Sequence, residues 1–146
     1  KAVAIRYLGY QDGLKDSGLT FSEKLVAAGD NSFGSGEACA EKLLKRNNPP
    51  TAIFAANDDM AAGVIRVAKR LGINVPGQLS VAGFDEIALA RQIEPALTTI
   101  RQPLVAMAEE AARMLSTGNG EDAAAARHEQ DAASIKIRES TGPAPH

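Results

Sequence analysis

The sequence predicts an α/β fold in which helices flank a parallel sheet, and three observations favour it. Two short, continuous apolar runs, at residues 51–56 and 79–84, have the length and composition of parallel strands that are covered on both faces. Between them, residues 60–71 carry apolar side chains at helical spacing. A strand, a helix and a strand joined by short connections form a right-handed crossover, which is the repeating unit of such sheets.

The composition is that of a globular core built from small aliphatic side chains. The chain has 146 residues, which allows one domain or a part of a larger one. Hydrophobic residues make up 45% of it, aromatic residues only 4%, and tryptophan is absent, so the core must consist of Ala, Val, Ile and Leu. This palette is typical of helices that pack closely on a sheet.

The remaining segments continue the alternation of helix-like and strand-like patterns. Residues 1–15 predict a helix that Gly18 ends, and residues 35–46 predict another that the following Pro49 and Pro50 break. The other expected elements are a short buried strand at 24–28, a loop or short helix at 85–93, an extended segment at 97–101, a helix at 104–115, a surface turn at 117–126, a half-exposed strand at 133–138 and a frayed tail at 141–146.

Charge and cysteine content exclude several classes of function. The formal net charge is −2 and the basic residues are scattered, so we expect no nucleic-acid contact by this segment. No apolar run is long enough to span a membrane, and the opening residues lack the layout of a signal peptide. The single cysteine, Cys39, cannot form an internal disulfide, which fits a cytoplasmic protein.

Polar residues follow both predicted strands, where parallel sheets bind their ligands. The first strand leads into Asn57 and Asp58, and the second leads into Asp85. Carboxylates accept hydrogen bonds from hydroxyls, and an amide both donates and accepts, so these residues suit a polyhydroxylated small molecule. The alternative is that Asn57 or Asp58 caps the next helix, which is the more frequent role of such residues, and that Asp85 is an ordinary loop acid.

Catalytic, metal and cofactor sites find no support in the sequence. The only histidines are His128 and His146, so no Ser-His-acid arrangement is predicted, and no His or Cys spacing suits a metal. Residues 34–39 are a near miss to a dinucleotide fingerprint, but a turn before a helix is the more frequent origin of such a pattern. We therefore predict no enzyme and no cofactor.

The run TAIFAANDDMAAGVIRVAKRLGINVPGQLSVAGFDEIALARQIEPALTTIRQP, at residues 51–103, resembles the C-terminal part of the effector domain of lactose/galactose-repressor-type (LacI/GalR) transcription regulators. Further matching pieces are Arg6-x-x-Gly9-Tyr10, Gly29-Asp30 and the closing RESTGP at 138–143. A single motif of this kind is common, whereas the ordered set spans nearly the whole chain.

The resemblance implies a periplasmic-binding-protein-like fold of type I, whose two lobes close on an effector. Residues 1–100 would form the C-terminal lobe, residues 101–131 would belong to the N-terminal lobe, and residues 132–146 would be the return strand and tail. The helix at 104–115 would then need a partner for its apolar side. The DNA-binding domain of such regulators has no counterpart in this sequence.

The resemblance also carries site residues, each by its motif. Arg6, Asn57 and Asp85 match effector-contacting positions of the family, and Gln102 lies at the crossover between the lobes. Many family members have a stacking aromatic directly after Gly29-Asp30, where this chain has Asn31. Phe33, two residues further on, is the candidate to replace it.

The function that the resemblance implies is effector sensing and dimerisation in a cytoplasmic transcription repressor. The partners would be a carbohydrate or related effector, a second copy of the chain, and operator DNA through a domain outside this sequence. The dimer surface would include Ala62, Ile65, Leu89, Gln92 and Ile93. A periplasmic sugar-binding protein for transport is the alternative, because it shares the fold. A nucleotide-using enzyme with a doubly wound sheet is the third hypothesis.

Overall fold

The computed structural model describes residues 2–116 and 133–145 of the chain. The predicted turn at 117–126 lies outside these residues. The elements in chain order are α1 (Ala2–Asp16), a short 3-10 helix (Glu23–Leu25), α2 (Phe33–Leu44), β1 (Ala52–Phe54), α3 (Asp58–Arg70), β2 (Ser80–Ala82), α4 (Leu89–Gln92), β3 (Thr99–Arg101), α5 (Leu104–Ser116) and β4 (Ser134–Lys136).

The predicted crossover is present as β1, α3 and β2. The two strands pair in parallel, with Ala52 opposite Ser80 and Phe54 opposite Ala82. The helix α3 ends at Arg70, and Gly72 follows it as expected, with a positive φ of 72° that is the conformation in which glycine stops helices. Beyond β2 the chain pairs in parallel with β3, because the amides of Gly83 and Asp85 donate to carbonyls of that segment.

The strands β3 and β4 form an antiparallel pair, with Thr99 opposite Lys136 and Arg101 opposite Ser134. The chain therefore leaves the sheet after Arg101 at the end of β3, and it returns as β4, directly beside β3. Residue 102 onwards continues into α5, none of whose residues is buried by the rest of the described chain. Leu104, Val105 and Leu115 are exposed on it, which agrees with what the resemblance implies, that the apolar side of this helix needs a partner.

The core is aliphatic and centres on α3, which lies between α2 and the sheet. Val67 and Ala68 of α3, Leu79 and Val81 around β2, and Leu97 before β3 have no exposed surface. No aromatic ring belongs to the buried core of the described residues, as the composition required. Burial of this kind contributes roughly 25 cal/mol per Å² of apolar surface.

Two expectations were wrong. Residues 24–28 form no strand: the 3-10 helix Glu23–Leu25 is followed by Val26 with extended angles that pairs with no described strand. An apolar cavity of about 520 Å³ separates residues 25–29 from β1, so a short run without a bonded neighbour does not become a strand. The predicted tail is also anchored at its start rather than frayed, because the amide of Gly142 donates to Oγ of Ser80 and the hydroxyl oxygens of Thr141 and Thr98 lie 2.8 Å apart.

Candidate functional site

Asp85 and Gln102 meet where the second strand ends. Asp85 has a positive φ of 109°, and its amide donates to the carbonyl of Ile100. Its Oδ1 accepts a hydrogen bond of 2.6 Å from Nε2 of Gln102, the residue that follows β3. Two of the residues that the sequence singled out are therefore in direct contact, although 17 positions separate them in the chain.

Arg6 reaches the same place from α1. Its Nη2 lies 3.8 Å from Oδ1 of Asp85, and its Nη1 donates to the carbonyl of Ala56 over 2.5 Å. The guanidinium also lies 4.0 Å above the centre of the Phe84 ring, which is a cation–π contact. Its side chain is only 19% exposed, so Arg6 is held in place by a carboxylate, a carbonyl and a ring. The sequence alone would have made it an exposed helical charge.

Asn57 caps α3 and also holds the loop that precedes α2. Its Oδ1 accepts a hydrogen bond of 2.9 Å from the amide of Met60, which satisfies one of the amides that a helix leaves unpaired at its start. Its Nδ2 donates to the carbonyl of Asn31 over 2.8 Å. The capping alternative is therefore correct for Asn57, while a contact with ligand stays a prediction.

Asp58 has no exposed surface and points into the protein. Its Oδ1 accepts a hydrogen bond of 2.5 Å from Thr99, and its Oδ2 accepts one of 2.9 Å from the amide of Ile87. Burial raises the pKa of this carboxyl above its ordinary value, against the opposing effect of the hydrogen bond from Thr99. In this arrangement Asp58 offers no atom to a ligand and instead joins α3 to β3.

Phe33 is not brought to the Arg6–Asp85 cluster. It is the first residue of α2, and its ring centre lies 5.6 Å from the guanidinium of Arg66 on α3, whereas Arg6 lies over the ring of Phe84. The exposed residue Asn31, with a positive φ of 68°, lines the same cavity as Arg6, whereas Phe33 is not among the residues that line it. Stacking by Phe33 therefore has no support from its position.

The predicted dimer positions divide into two groups. Ala62 and Ile65 are buried, at 4% and 6% exposure, and Ile93 packs against the core, so these residues serve the fold of the chain itself. Gln92 is exposed and Leu89 is half-buried. Only the α4 part of the predicted surface is thus accessible to a second copy.

Glu86 is a residue that the sequence reasoning missed. Its side chain is 2% exposed and bonds to Arg101, Arg138 and Arg91. The hydrogen bond from Arg101, and then that from Arg138, lowers the pKa of Glu86 to about 2. The sequence did contain a hint of this arrangement. An acid, Glu86, directly follows Asp85, and an arginine ends each of the predicted extended segments 97–101 and 133–138.

The large cavity and the polar cluster are neighbours with different chemistry. The cavity runs along β1 under α1, and its lining is mostly apolar, from residues such as Tyr7, Val26 and Ile53. Arg6 and Asn31 are among its few polar residues. A polyol needs several fixed donors and acceptors, so we place the candidate ligand site at the polar end, around Arg6, Asp85 and Gln102.

The cluster offers binding chemistry. A guanidinium, a carboxylate and an amide stand together at the carboxyl ends of parallel strands, and they can donate to and accept from a ligand. Across residues 2–116 and 133–145, no group of three or more His, Cys, Asp or Glu side chains is arranged to hold a metal ion. Within the same residues, no helix is long and apolar enough to cross a membrane.

An open parallel sheet with helices on it and polar groups at its strand ends belongs to the class of α/β domains that receive small ligands at that edge. The particular family follows from sequence: the profile of the periplasmic binding protein-like domain matches residues 2–141, and the chain belongs to this family.

Its relatives are transcription regulators. The HTH-type transcriptional regulator GalR of Escherichia coli (strain K12) is 41% identical over 109 residues, which are 75% of this chain and 32% of that protein. The crystal structure of the Escherichia coli transcriptional repressor ascG superposes with a TM-score of 0.81 at 34% identity, over 94% of this chain and 50% of that one. The structure of a transcriptional regulator CelR–cellobiose complex gives a TM-score of 0.78 at 32% identity, over 92% of this chain and 41% of that one.

The relatives are much longer than the part of them that this chain matches. This chain spans about a third of the length of the curated relatives that it matches, and about half of the matched structures. One neighbour is described as a sugar-binding transcriptional regulator of the LacI family, which agrees with the resemblance seen in the sequence.

Proposed function

We propose that this chain is the effector-sensing part of a transcription repressor, and that the effector is a carbohydrate or a related small molecule. The observation that carries the proposal is the contact of Arg6, Asp85 and Gln102 at the strand ends. Their mixture of charged and neutral donors and acceptors suits neighbouring hydroxyl groups. The names of the relatives support the same class, since one is a regulator called GalR and another was solved with cellobiose.

We place the division of the chain into lobes at β3, where the chain leaves the first lobe, and at β4, where it returns. Residues 1–100 form one lobe, residues 101–131 belong to the other lobe, and residues 132–146 are the return strand and tail. Two facts support this division. The exit and return strands are hydrogen-bonded neighbours, and α5, which starts just after the exit, buries no residue in the described chain.

The partners of the whole protein are a second copy of itself and operator DNA. DNA contact belongs to a domain outside this sequence, since a net charge of −2 does not provide the basic surface that phosphates require. Effector binding shifts the balance between two lobe arrangements and thereby changes operator affinity. The protein acts in the cytoplasm and catalyses no reaction, which its relatives' description as transcription regulators supports against a role in transport.

A thermal-shift screen on the protein at its full natural length tests the proposal. The panel contains pentoses, hexoses, disaccharides, sugar phosphates and purines, and each compound is run on the wild type, Asp85→Ala and Asp12→Ala. A compound that binds only the native state raises its melting temperature by mass action. We expect one class of sugar to stabilise the wild type and Asp12→Ala, an exposed change on α1, but not Asp85→Ala.

Two outcomes would contradict the proposal. A compound that stabilises Asp85→Ala as strongly as the wild type binds elsewhere, so the Arg6–Asp85–Gln102 cluster would not be the site. Stabilisation by purines alone would agree with a role in effector sensing but would contradict a carbohydrate as the effector.

A further inference from the structure

Two adjacent carboxylates after β2 face different parts of the molecule. Asp85 contacts Arg6 and Gln102, at the candidate ligand site. The side chain of Glu86 points to three other arginines and is almost fully buried, at 2% exposure. Both residues have positive φ, 109° and 55°, which non-glycine residues adopt only where their surroundings hold them. The two carboxylates are therefore joined by a short, constrained piece of backbone.

Glu86 is bonded from several directions. Oε1 accepts a hydrogen bond from Nη2 of Arg138 at 2.5 Å and another from Nη2 of Arg101 at 3.0 Å, and Oε2 accepts one from Nε of Arg101. Arg91 of α4 donates to Oε1 at 3.2 Å. Arg138 also donates to the carbonyl of Leu97, so its guanidinium is fixed on two sides. Charge-assisted bonds of this number hold a buried carboxylate in one position.

Two partners of Glu86, Arg101 and Arg138, lie on or just after the two strands that join residues 102–133 to the rest of the chain. Arg101 is the last residue of β3, where the chain leaves, and Arg138 follows β4, where it has returned. The strands pair with each other, with Arg101 opposite Ser134. One carboxylate thus holds both connections together at their point of departure.

We propose that Glu86 is a positioning residue that couples the state of Asp85 to the paired strands β3 and β4. The inference deepens the proposed function, and rests on it in so far as Asp85 is the residue that an effector touches. When Asp85 changes its contacts, the peptide bond between Asp85 and Glu86 rotates. The hydrogen bonds of Glu86 to Arg101 and Arg138 change with it. The orientation of the segment beyond residue 102 then follows the occupancy of the site.

A purely structural role for Glu86 makes a different prediction. Glu86 would then stabilise β3 and β4 regardless of Asp85, and changes at the two residues would act independently. A double-mutant cycle separates the two cases because it measures the coupling energy itself, without any ligand.

Hydrogen exchange on the protein at its full natural length is the measurement. The variants are Asp85→Asn, Glu86→Gln and the double substitution, and the readout is the exchange rate of the amides at residues 99–101 and 134–136. Glu37→Gln is the matched control, since Glu37 pairs with Arg66 and Arg70 on the other side of α3 and faces neither strand.

We expect Glu86→Gln to accelerate exchange in both strands by about tenfold, since protection in such segments reports local opening. Asp85→Asn accelerates it as well, but adds little when Glu86 is already changed. Glu37→Gln leaves these amides unaffected. If Glu86→Gln does not fold, Arg101→Gln takes its place in the cycle, because it removes one partner and leaves Arg138 on the buried carboxylate.

Additive effects of the two substitutions, or unchanged exchange in Glu86→Gln, would overturn the inference. The cycle uses no sugar, so its failure leaves the proposed effector site standing. A sugar screen without a hit, in turn, does not alter what the cycle reports.

Discussion

Gln102 and Asp85 share a hydrogen bond of 2.6 Å that joins the residue after β3 to the turn after β2. The same carboxylate oxygen is approached by Arg6 from α1 at 3.8 Å. Three segments that are far apart in the sequence thus meet at one atom. Since Gln102 begins the segment that leaves the sheet, it lies where the candidate ligand site meets the proposed connection between the lobes.

Replacing Gln102 by Ala is expected to weaken binding of the sugar identified by the thermal-shift screen by about fivefold to tenfold. The side chain contributes one neutral hydrogen-bonding group, and such a group is worth about 1 kcal/mol. Titration calorimetry on the full-length protein measures the change. Asn48→Ala, an exposed change in the loop after α2, is the control and should keep the wild-type affinity. Unchanged affinity in Gln102→Ala would remove this residue from the site.

The two roles of Asn57 can be separated by two substitutions. Asn57→Ala loses both the cap on Met60 and the bond to Asn31, and should lower the free energy of unfolding by about 1 kcal/mol. Asn57→Ser keeps an oxygen that can cap the helix but has no donor that reaches Asn31, so its stability should stay close to that of the wild type.

Sugar binding then decides whether Asn57 is more than a cap. If its amide orients the Asn31 loop or touches the ligand, Asn57→Ser will bind the sugar more weakly than the wild type although it is equally stable. Denaturant unfolding and titration calorimetry on the same preparations give both values. Wild-type affinity in Asn57→Ser would leave capping as its only role.

The elements that sequence predicts well here are those with strong local patterns. The stripe on α3, the apolar run at β1 and the glycine at 72 depend on neighbours within one turn or one strand, so their type was correct and their bounds differ by a few residues. The strand prediction for residues 24–28 was wrong because a strand forms only beside a hydrogen-bonded neighbour, and no local pattern reports whether that neighbour is present.

The site was predictable in part for the same reason. Asp85 follows from its place after a strand, whereas Arg6 and Gln102 came from the resemblance. The contacts of Glu86 were not predicted because they depend on Arg101 and Arg138, and only folding brings these three separate segments together. Asp58 was a candidate for ligand binding or for capping in the sequence and proves to be buried, where it bonds to Thr99, a partner 41 positions away that no local pattern reports.

The close approach of α2 and α3 depends on Gly36. A Cβ added there would lie 2.3 Å from the carbonyl oxygen of Met60, a backbone atom that cannot rotate away. We expect Gly36→Ala to lower the free energy of unfolding by about 1–3 kcal/mol, as overpacking does elsewhere. Gly34→Ala, in the same helix but with nothing within 4 Å of the added carbon, should be neutral or stabilising by up to about 1 kcal/mol. Denaturant unfolding of both variants tests the contrast, and equal effects would contradict it.

Acid should weaken the protein through Glu86 in a defined range of pH. Its pKa falls from the ordinary 4.5 to about 2 on folding, mainly because of the hydrogen bond from Arg101. A carboxyl with a lowered folded-state pKa stabilises the native state fully above its unfolded pKa, and this contribution is lost as the pH falls through the folded pKa. The contribution of Glu86 is therefore complete above about pH 4.5 and disappears towards pH 2.

The measurement is the difference in the free energy of unfolding between the wild type and Glu86→Gln across that range. Other carboxyls titrate equally in both proteins, so the difference isolates Glu86. We expect the wild type to be clearly more stable at neutral pH, because Glu86→Gln leaves Arg101 and Arg138 without their counter-charge, and the two stabilities to converge in acid. Glu110→Gln, which removes an exposed pair with Arg113 on α5, is the control and should show a much smaller difference, since solvent screens that pair. A wild-type advantage that stays constant from neutral pH to pH 2 would mean that the arginines do not stabilise the ionised carboxylate.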